Sequence, residues 1–329
     1  MRSPSDTTAH QLESLTGFGS EAVEPDPQER LHQPILSAVE LNSLNARSNL
    51  KGAIRLGGHL AIMGISGYLW TSNLDRLPLA IPFLLVYGFS LAAMFAVGHE
   101  CGHRTAFANN QVNDLVAWWA GVLSFYNSTF YRRYHKWHHR YTRVPGKDPE
   151  LTDRTPDSLW RYGVELSGLP WWWGKLRGHT RIALGIIDEC EYIPATARAE
   201  VIRSTRLQLL VYLVAIALSV AFAQPWFIIY WLLPLAVGQP ILRFILLAEH
   251  TGCSLDDNLL TNTRTTLTLS PLRFLMWNMP FHAEHHLYAS IPFHALPAAH
   301  DRLKSHFTRV DPGYVQVNLG IVSKLESGL

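Results

Sequence analysis

The sequence predicts an all-α integral membrane protein, with four transmembrane helices in two hairpins and a cytosolic helical cap that carries clustered histidines. Three observations lead there. Four apolar stretches fall in two closely spaced pairs, almost all basic residues lie on one side of those pairs, and nine of the sixteen histidines cluster beside the stretches rather than within them.

A helix needs roughly 20 apolar residues to cross the hydrocarbon core of a bilayer. Residues 77–98 meet that requirement best and carry no charge. Residues 207–223 and 226–248 form the second pair, the latter with Arg243 close to its end. Residues 56–70 are the weakest span, since they contain His59 and follow Arg55. The connections 71–76 and 224–225 only have room to reverse the chain, so each pair reads as a hairpin. Of 28 lysines and arginines, only Arg76 falls in a hairpin tip. The positive-inside rule then places both termini, residues 99–206 and residues 249–329 in the cytosol. Two tryptophan-dense patches, 115–126 and 168–174, are too short to span; they predict helices in the headgroup layer or packing against the cap.

The net charge of +2 gives no reason to expect nucleic acid or another polyanion as partner. Cys101, Cys190 and Cys253 form no CxxC pair, which fits unpaired thiols in a reducing compartment. Residues 1–46 are polar, without the apolar core of a secretory signal, and predict a disordered tail. Residues 47–329 then form the membrane domain.

The clusters read HECGH (His99, His103), HKWHH (His135, His138, His139) and HAEHH (His282, His285, His286), and His250 follows the last apolar run. Spacings of three and four put side chains on one helix face, so each cluster aims its imidazoles at a common point. Three such faces converging supply enough nitrogen donors for two metal ions. HECGH alone matches a zinc-protease pattern with Glu100 as base. That reading finds no Asp-Gly for a third ligand and leaves both HxxHH clusters without a role. A ferritin-like site wants paired ExxH motifs and further glutamates. Glu100–His103 and Glu29–His32 fit the spacing, but the second sits in the polar tail. Helix capping or contact with lipid phosphate explains one histidine, not three clusters. His59 suits a contact between helices, and His294 and His300 suit packing or support. His10, His32, His179, His306 and Cys101 receive no functional role. Glu100, Glu249 and Glu284 either orient imidazole N–H groups or sit as solvated helix positions.

The order HxxxH, HxxHH, HxxHH around two hairpins resembles the membrane fatty acid desaturase family, over residues 77–302. Residues 278–297 (NMPFHAEHHLYASIPFHALP) are similar to its bacterial-type members. The resemblance implies a non-haem di-iron centre, O2 as oxidant and a lipid acyl chain as substrate. Its ligands, carried over by motif, are His99, His103, His135, His138, His139, His282, His285 and His286. His250 resembles an additional ligand after the fourth span. Some members hold a metal through an asparagine four residues before that histidine; here Leu246 stands there, with Glu249 or Asn278 as substitutes.

Imidazole alone does not choose among iron, copper, zinc and nickel. The task does. A site at the end of apolar helices faces saturated carbon, and breaking an unactivated C–H bond requires redox chemistry that zinc does not perform. The expected activity is desaturation. A hydroxylase or ketolase of lipids, carotenoids or alkanes is the competing enzyme, and a non-catalytic metal-binding membrane protein the competing class. The chain has no HPGG haem motif, CxxC run or GxGxxG loop. Electrons are therefore expected from a separate carrier of ferredoxin or cytochrome b5 type. Arg132, Arg133, Lys136, Arg140, Arg143 and Lys147 offer it a basic landing surface, or meet anionic lipid instead.

Overall fold

The computed structural model describes residues 34–152, 156–187 and 191–327, so residues 1–33 of the expected tail lie outside the described residues, as does Cys190. The rest of that stretch is structured. Ser37 and Glu40 form a capping box that starts α1 (Ala38–Leu44). Leu36 and Leu44, on either side of the cap, are buried. Two leucines placed to enter a core outweigh the polar composition around them.

Ser48 caps α2 (Asn49–Thr71), and a short turn leads into α3 (Leu77–Ala92), which continues after a break at Ala93 as α4 (Met94–Gly102). Next come α5 (Asn110–Ser124), α6 (Ser128–Tyr141), α7 (Leu159–Leu166) and α8 (Leu169–Ala183). A second long pair follows: α9 (Ala195–Ala221), then a π-helical turn (Ile228–Leu232) that runs into α10 (Leu233–His250). The chain ends with α11 (Ser270–Leu275), α12 (His282–Leu287), α13 (Leu296–Leu303) and α14 (Tyr314–Ser327).

Three helices among the described residues are long and apolar enough to cross a membrane: Leu77–Gly102, Ala195–Ala221 and Ile228–His250. Helix α2 has the length, at 23 residues, but Lys51, Arg55, His59 and five glycines dilute its apolar character. On α9, Leu210, Leu213 and Val220 are exposed, as expected of a helix apolar on every side. The protein is thus a mostly helical membrane protein. One feature departs from the all-α expectation: β1 (Thr265–Leu267) and β2 (Val310–Pro312) pair in parallel, Thr266 opposite Asp311.

Two cores position the histidine segments. The larger is built on α3, α4, α5 and α10, with Leu91, Ala120, Leu242 and Ile245 inside it. Helices α3 and α10 touch backbone to backbone at Gly88 and Gly238, where a Cβ on either residue would collide with the opposite main chain. The smaller core joins α1, α12 and α13 through Leu44, Leu287, Leu296 and Leu303. It holds the third histidine cluster against the ends of α4 and α10.

Candidate metal centre

Helix α4 ends at the first cluster, with His99 in its last turn and His103 as its C-cap. Asn127 caps α6 by accepting from the Phe130 N–H, and this sets the face on which His135, His138 and His139 stand. His250 closes α10. The guanidinium of Arg264 reaches the last carbonyls of that helix, donating to Ala248 and, at 3.0 Å, to Thr251. A cation at a helix C-terminus is favourable. Every residue of α12 is buried, including His282, His285 and His286.

All nine predicted histidines meet in one place, as two adjoining groups. One nitrogen from each of His99, His103, His135, His139 and His285 lies within 4.8 Å of the others. The same holds for His138, His250 and His286. His282 joins this second group, its Nε2 3.1 Å from Nε2 of both His250 and His286. The groups touch where the His139 and His286 rings stack, with centroids 4.2 Å apart.

Hydrogen bonds decide what these nitrogens can do. His250 Nδ1 faces the Asn262 carbonyl at 3.2 Å, which only accepts, so Nδ1 carries the proton and Nε2 a lone pair. His138 donates in the same way to Asp148 at 2.9 Å. Thr142 spends its hydroxyl hydrogen on the His138 carbonyl and so accepts from His286 Nδ1 at 3.1 Å. Three Nε2 lone pairs are thereby turned toward one point, and a single N–H on His282 can bridge only one of them. In the first group, His139 Nε2 lies 3.0 Å from Nε2 of both His135 and His285. The Nε2 atoms of His99 and His103 are buried without a hydrogen-bond partner.

Crowded lone pairs call for a cation, and burial opposes protons in that role. It holds His135, His139, His282, His285 and His286 well below their ordinary range. Burial, with the Arg132 charge behind it, brings His103 down to about 4. His138 is the exception: burial lowers it, but the Glu150 and Asp148 carboxylates together carry it above its usual value. The donor set fits two metal ions better than it fits no ion.

The neighbouring carboxylates divide differently from the sequence expectation. Glu100 turns away from the histidines and accepts from the Phe293 N–H at 2.9 Å, so it is not placed as a protease base. Glu284 binds His300 at 2.5 Å and Thr265. Both are buried rather than solvated. Of the three expected carboxylates only Glu249 faces the centre, with Oε2 3.5 Å from His282 Nε2; Glu150, which the sequence reading did not single out, lies 3.6 Å from His138 Nε2 and 3.9 Å from His135 Nδ1. Asn278 donates its amide N–H to the Phe293 carbonyl at 2.9 Å. Asp148, Thr142 and Asn262, which do orient the rings, escaped the sequence reading because they are loop and helix-end residues outside any spacing rule. His59 donates to the Ser90 carbonyl at 2.8 Å, the interhelical contact expected of it.

The basic surface shrinks on inspection. Arg143 is buried and donates to the Cys253 and Ser254 carbonyls. Arg132 pairs with Asp114 and Arg133 with Glu200. Lys136 and Lys147 remain exposed. The tryptophan-rich patches are α5 and α8, each with one buried face and an exposed apolar one, marked by Trp119 and Trp173.

A cavity of about 620 Å³ opens beside the second group. His138, His250 and His282 form one wall, while Phe95, Tyr131 and Trp171 are among its aromatic lining. Its size is in the ordinary range for a small-molecule site.

A model of the fatty acid desaturase family matches residues 76–318, which include all nine histidines. The chain belongs to that family. Among desaturases it is 31% identical over 144 residues to an sn-1 oleoyl-lipid 12-desaturase of Picosynechococcus sp., covering 41% of this chain and 39% of that one. It is 25% identical to a relative of the same description from Synechocystis sp., over 67% of each chain. A third, from Anabaena variabilis, is 22% identical over 69% of this chain and 56% of its own. The chain thus spans from about two-fifths to two-thirds of these desaturases.

Proposed function

We propose that this protein is an O2-dependent di-iron desaturase that introduces a double bond into a lipid acyl chain. One observation carries the reading: nine imidazoles, six of them buried and those of His103, His139 and His250 half-buried, gather in two groups with lone pairs turned inward beside an aromatic cavity. The two irons would be held by His99, His103, His135, His139 and His285 on one side, and by His138, His250, His282 and His286 on the other. Five imidazoles at one ion exceed the four ligands of a closed zinc site, which favours iron. When bound, the metals and O2 would supply the oxidant for two neighbouring C–H bonds. Balance requires two electrons and two protons from outside, so that both oxygen atoms leave as water. The aromatic walls exclude bulk water and hold the chain, and fixing two hydrogens in reach is the protein's main task.

In this reading α2 serves as a fourth span, making hairpins of α2 with α3 and of α9 with α10. Residues 47–329 form the membrane domain, and residues 99–206 and 249–329 lie in the cytosol with both termini. A ferredoxin or cytochrome b5 type carrier would approach through the exposed lysines near α6. The relatives' shared name supports a lipid-linked chain as substrate.

The test combines metal and product. His135→Ala and His286→Ala should each lower bound iron and abolish the formation of unsaturated lipid by cells that express the chain. Products lacking one H2 indicate desaturation, and products with one added oxygen hydroxylation. Retention of two irons by either variant would remove that histidine from the centre.

A further inference from the structure

A cluster of basic groups lies outside the metal centre and its cavity, where α2 begins. Lys51 and Arg55 stand four residues apart on one face of α2. Arg273 on α11 and His294, just before α13, meet them there. Arg55 joins the parts: one Nη donates to the Arg273 and Phe274 carbonyls at 3.2 and 3.0 Å, and the guanidinium lies over the Phe274 and Phe293 rings. Lys51 Nζ, which can only donate, lies 3.5 Å from His294 Nδ1, so Nδ1 accepts and Nε2 carries the proton. Burial, then the Lys51 and Arg55 charges, bring His294 down to about 4, which keeps it neutral. Its Nε2–H is buried without a partner among the described residues, and so is the Nε–H of Arg273. Among the described residues, no carboxylate comes within 4.0 Å of Lys51, Arg55 or Arg273. Glu100, whose charge reaches Arg55, is buried and accepts from the Phe293 N–H.

Three cations gathered with no acid among them call for an anion, and two buried donors left unmade add to the cost of its absence. The flanking residues say which anion. Leu50 and Ile54 stand on α2 beside the two basic residues, and Leu269 caps α11; all three are exposed. Cations bordered by exposed aliphatic side chains match a membrane surface, where phosphate meets the first methylenes of the acyl chains. Helix α2, which begins here, is also the helix read as a fourth span.

We propose that Lys51, Arg55, Arg273 and His294 form a site for the phosphate of an anionic phospholipid. One lipid of the surrounding membrane is held there, against the start of α2 and α11, with its acyl chains along Leu50, Ile54 and Leu269. Its binding does not depend on what the metal centre does.

Titration of the full chain, in an uncharged detergent, with fluorescent phosphatidylglycerol and with phosphatidylcholine of the same acyl chains tests this. The basic residues predict that phosphatidylglycerol binds about tenfold or more tightly. The double variant Lys51→Gln, Arg273→Gln should lose most of that preference, and Lys324→Gln, an exposed lysine on α14, should keep it. Both variants are checked for monodispersity. Equal affinity of wild-type protein for the two lipids, or no binding of either, overturns the site even if no variant folds. So does a preference that survives in the folded double variant, or one that Lys324→Gln removes as fully. If wild-type protein shows no lipid preference but binds a polyglutamate peptide that the double variant does not, the surface serves an acidic protein and the lipid site falls. Each of these results leaves the metal centre untouched.

Discussion

His138 illustrates how one imidazole is committed to its task by a residue ten positions away. Its Nδ1 donates to Asp148, which is buried and is itself held by the backbone N–H groups of Arg143 and Glu150. The carboxylate therefore fixes both the ring plane and the tautomer, leaving the Nε2 lone pair for the proposed metal. Asp148→Asn keeps the shape but allows the ring to flip its proton. Loss of such a partner costs about 10- to 100-fold in metal affinity. We expect that loss in a chelator competition on purified protein, and unchanged retention of iron would show that His138 orients without Asp148. The nine histidines were legible because helical spacing places them before any fold is known. Asp148 was not, because its link to His138 crosses a turn, and no local periodicity marks a residue in VPGKDPE as different from other turn residues. Asn278 shows the converse: it sits near the third cluster in sequence, yet a backbone carbonyl takes its amide.

Between elements, the decisive contact is the seam of α3 and α10, since α3 continues through α4 into the first cluster and α10 ends in His250. Gly88 and Gly238 let the two backbones meet. In lipid, small residues at such crossings drive packing because apolar bulk offers no advantage over the bilayer itself. Gly238→Ala would push a methyl into the Gly88 carbonyl and force the helices apart. Overpacking of this kind costs about 1–3 kcal/mol or more, and here it also shifts His250 from its group. Gly64→Ala on α2 is the control, with open space around its Cβ; helix propensity favours it by about 0.5–1 kcal/mol. Thermal unfolding in detergent should fall for the first and hold or rise for the second. Equal melting temperatures would mean that the seam relaxes freely. Long apolar runs made α3, α9 and α10 readable from sequence. The short strands β1 and β2 and helix α1 were not readable, because each depends on partners distant in the chain, such as Leu287 for the leucines of α1.

At the scale of the whole molecule, chemistry and topology constrain each other. The three histidine clusters and His250 converge at the ends of α4 and α10, so both helices must deliver their C-terminal ends to the same side of any bilayer they cross. Helix α9 enters the same arrangement from the far side of the sequence, and the turn between it and α10 is short. These facts require the 222–227 turn to lie opposite the metal centre if α10 crosses completely. Helix α2 is less apolar, but its last turn leads within a few residues into α3, and Trp70 near its end donates to the Ile229 carbonyl in the π-helical turn that opens α10. The end of α2 and the start of the α10 segment thus sit together. A cysteine or glycosylation tag at residue 74 and another at residue 150 should therefore report opposite faces of the membrane. If both react with an impermeant reagent from one side, α2 lies along the surface rather than through the bilayer. In that case three crossings remain, and the N-terminal segment must approach the metal centre by a different route.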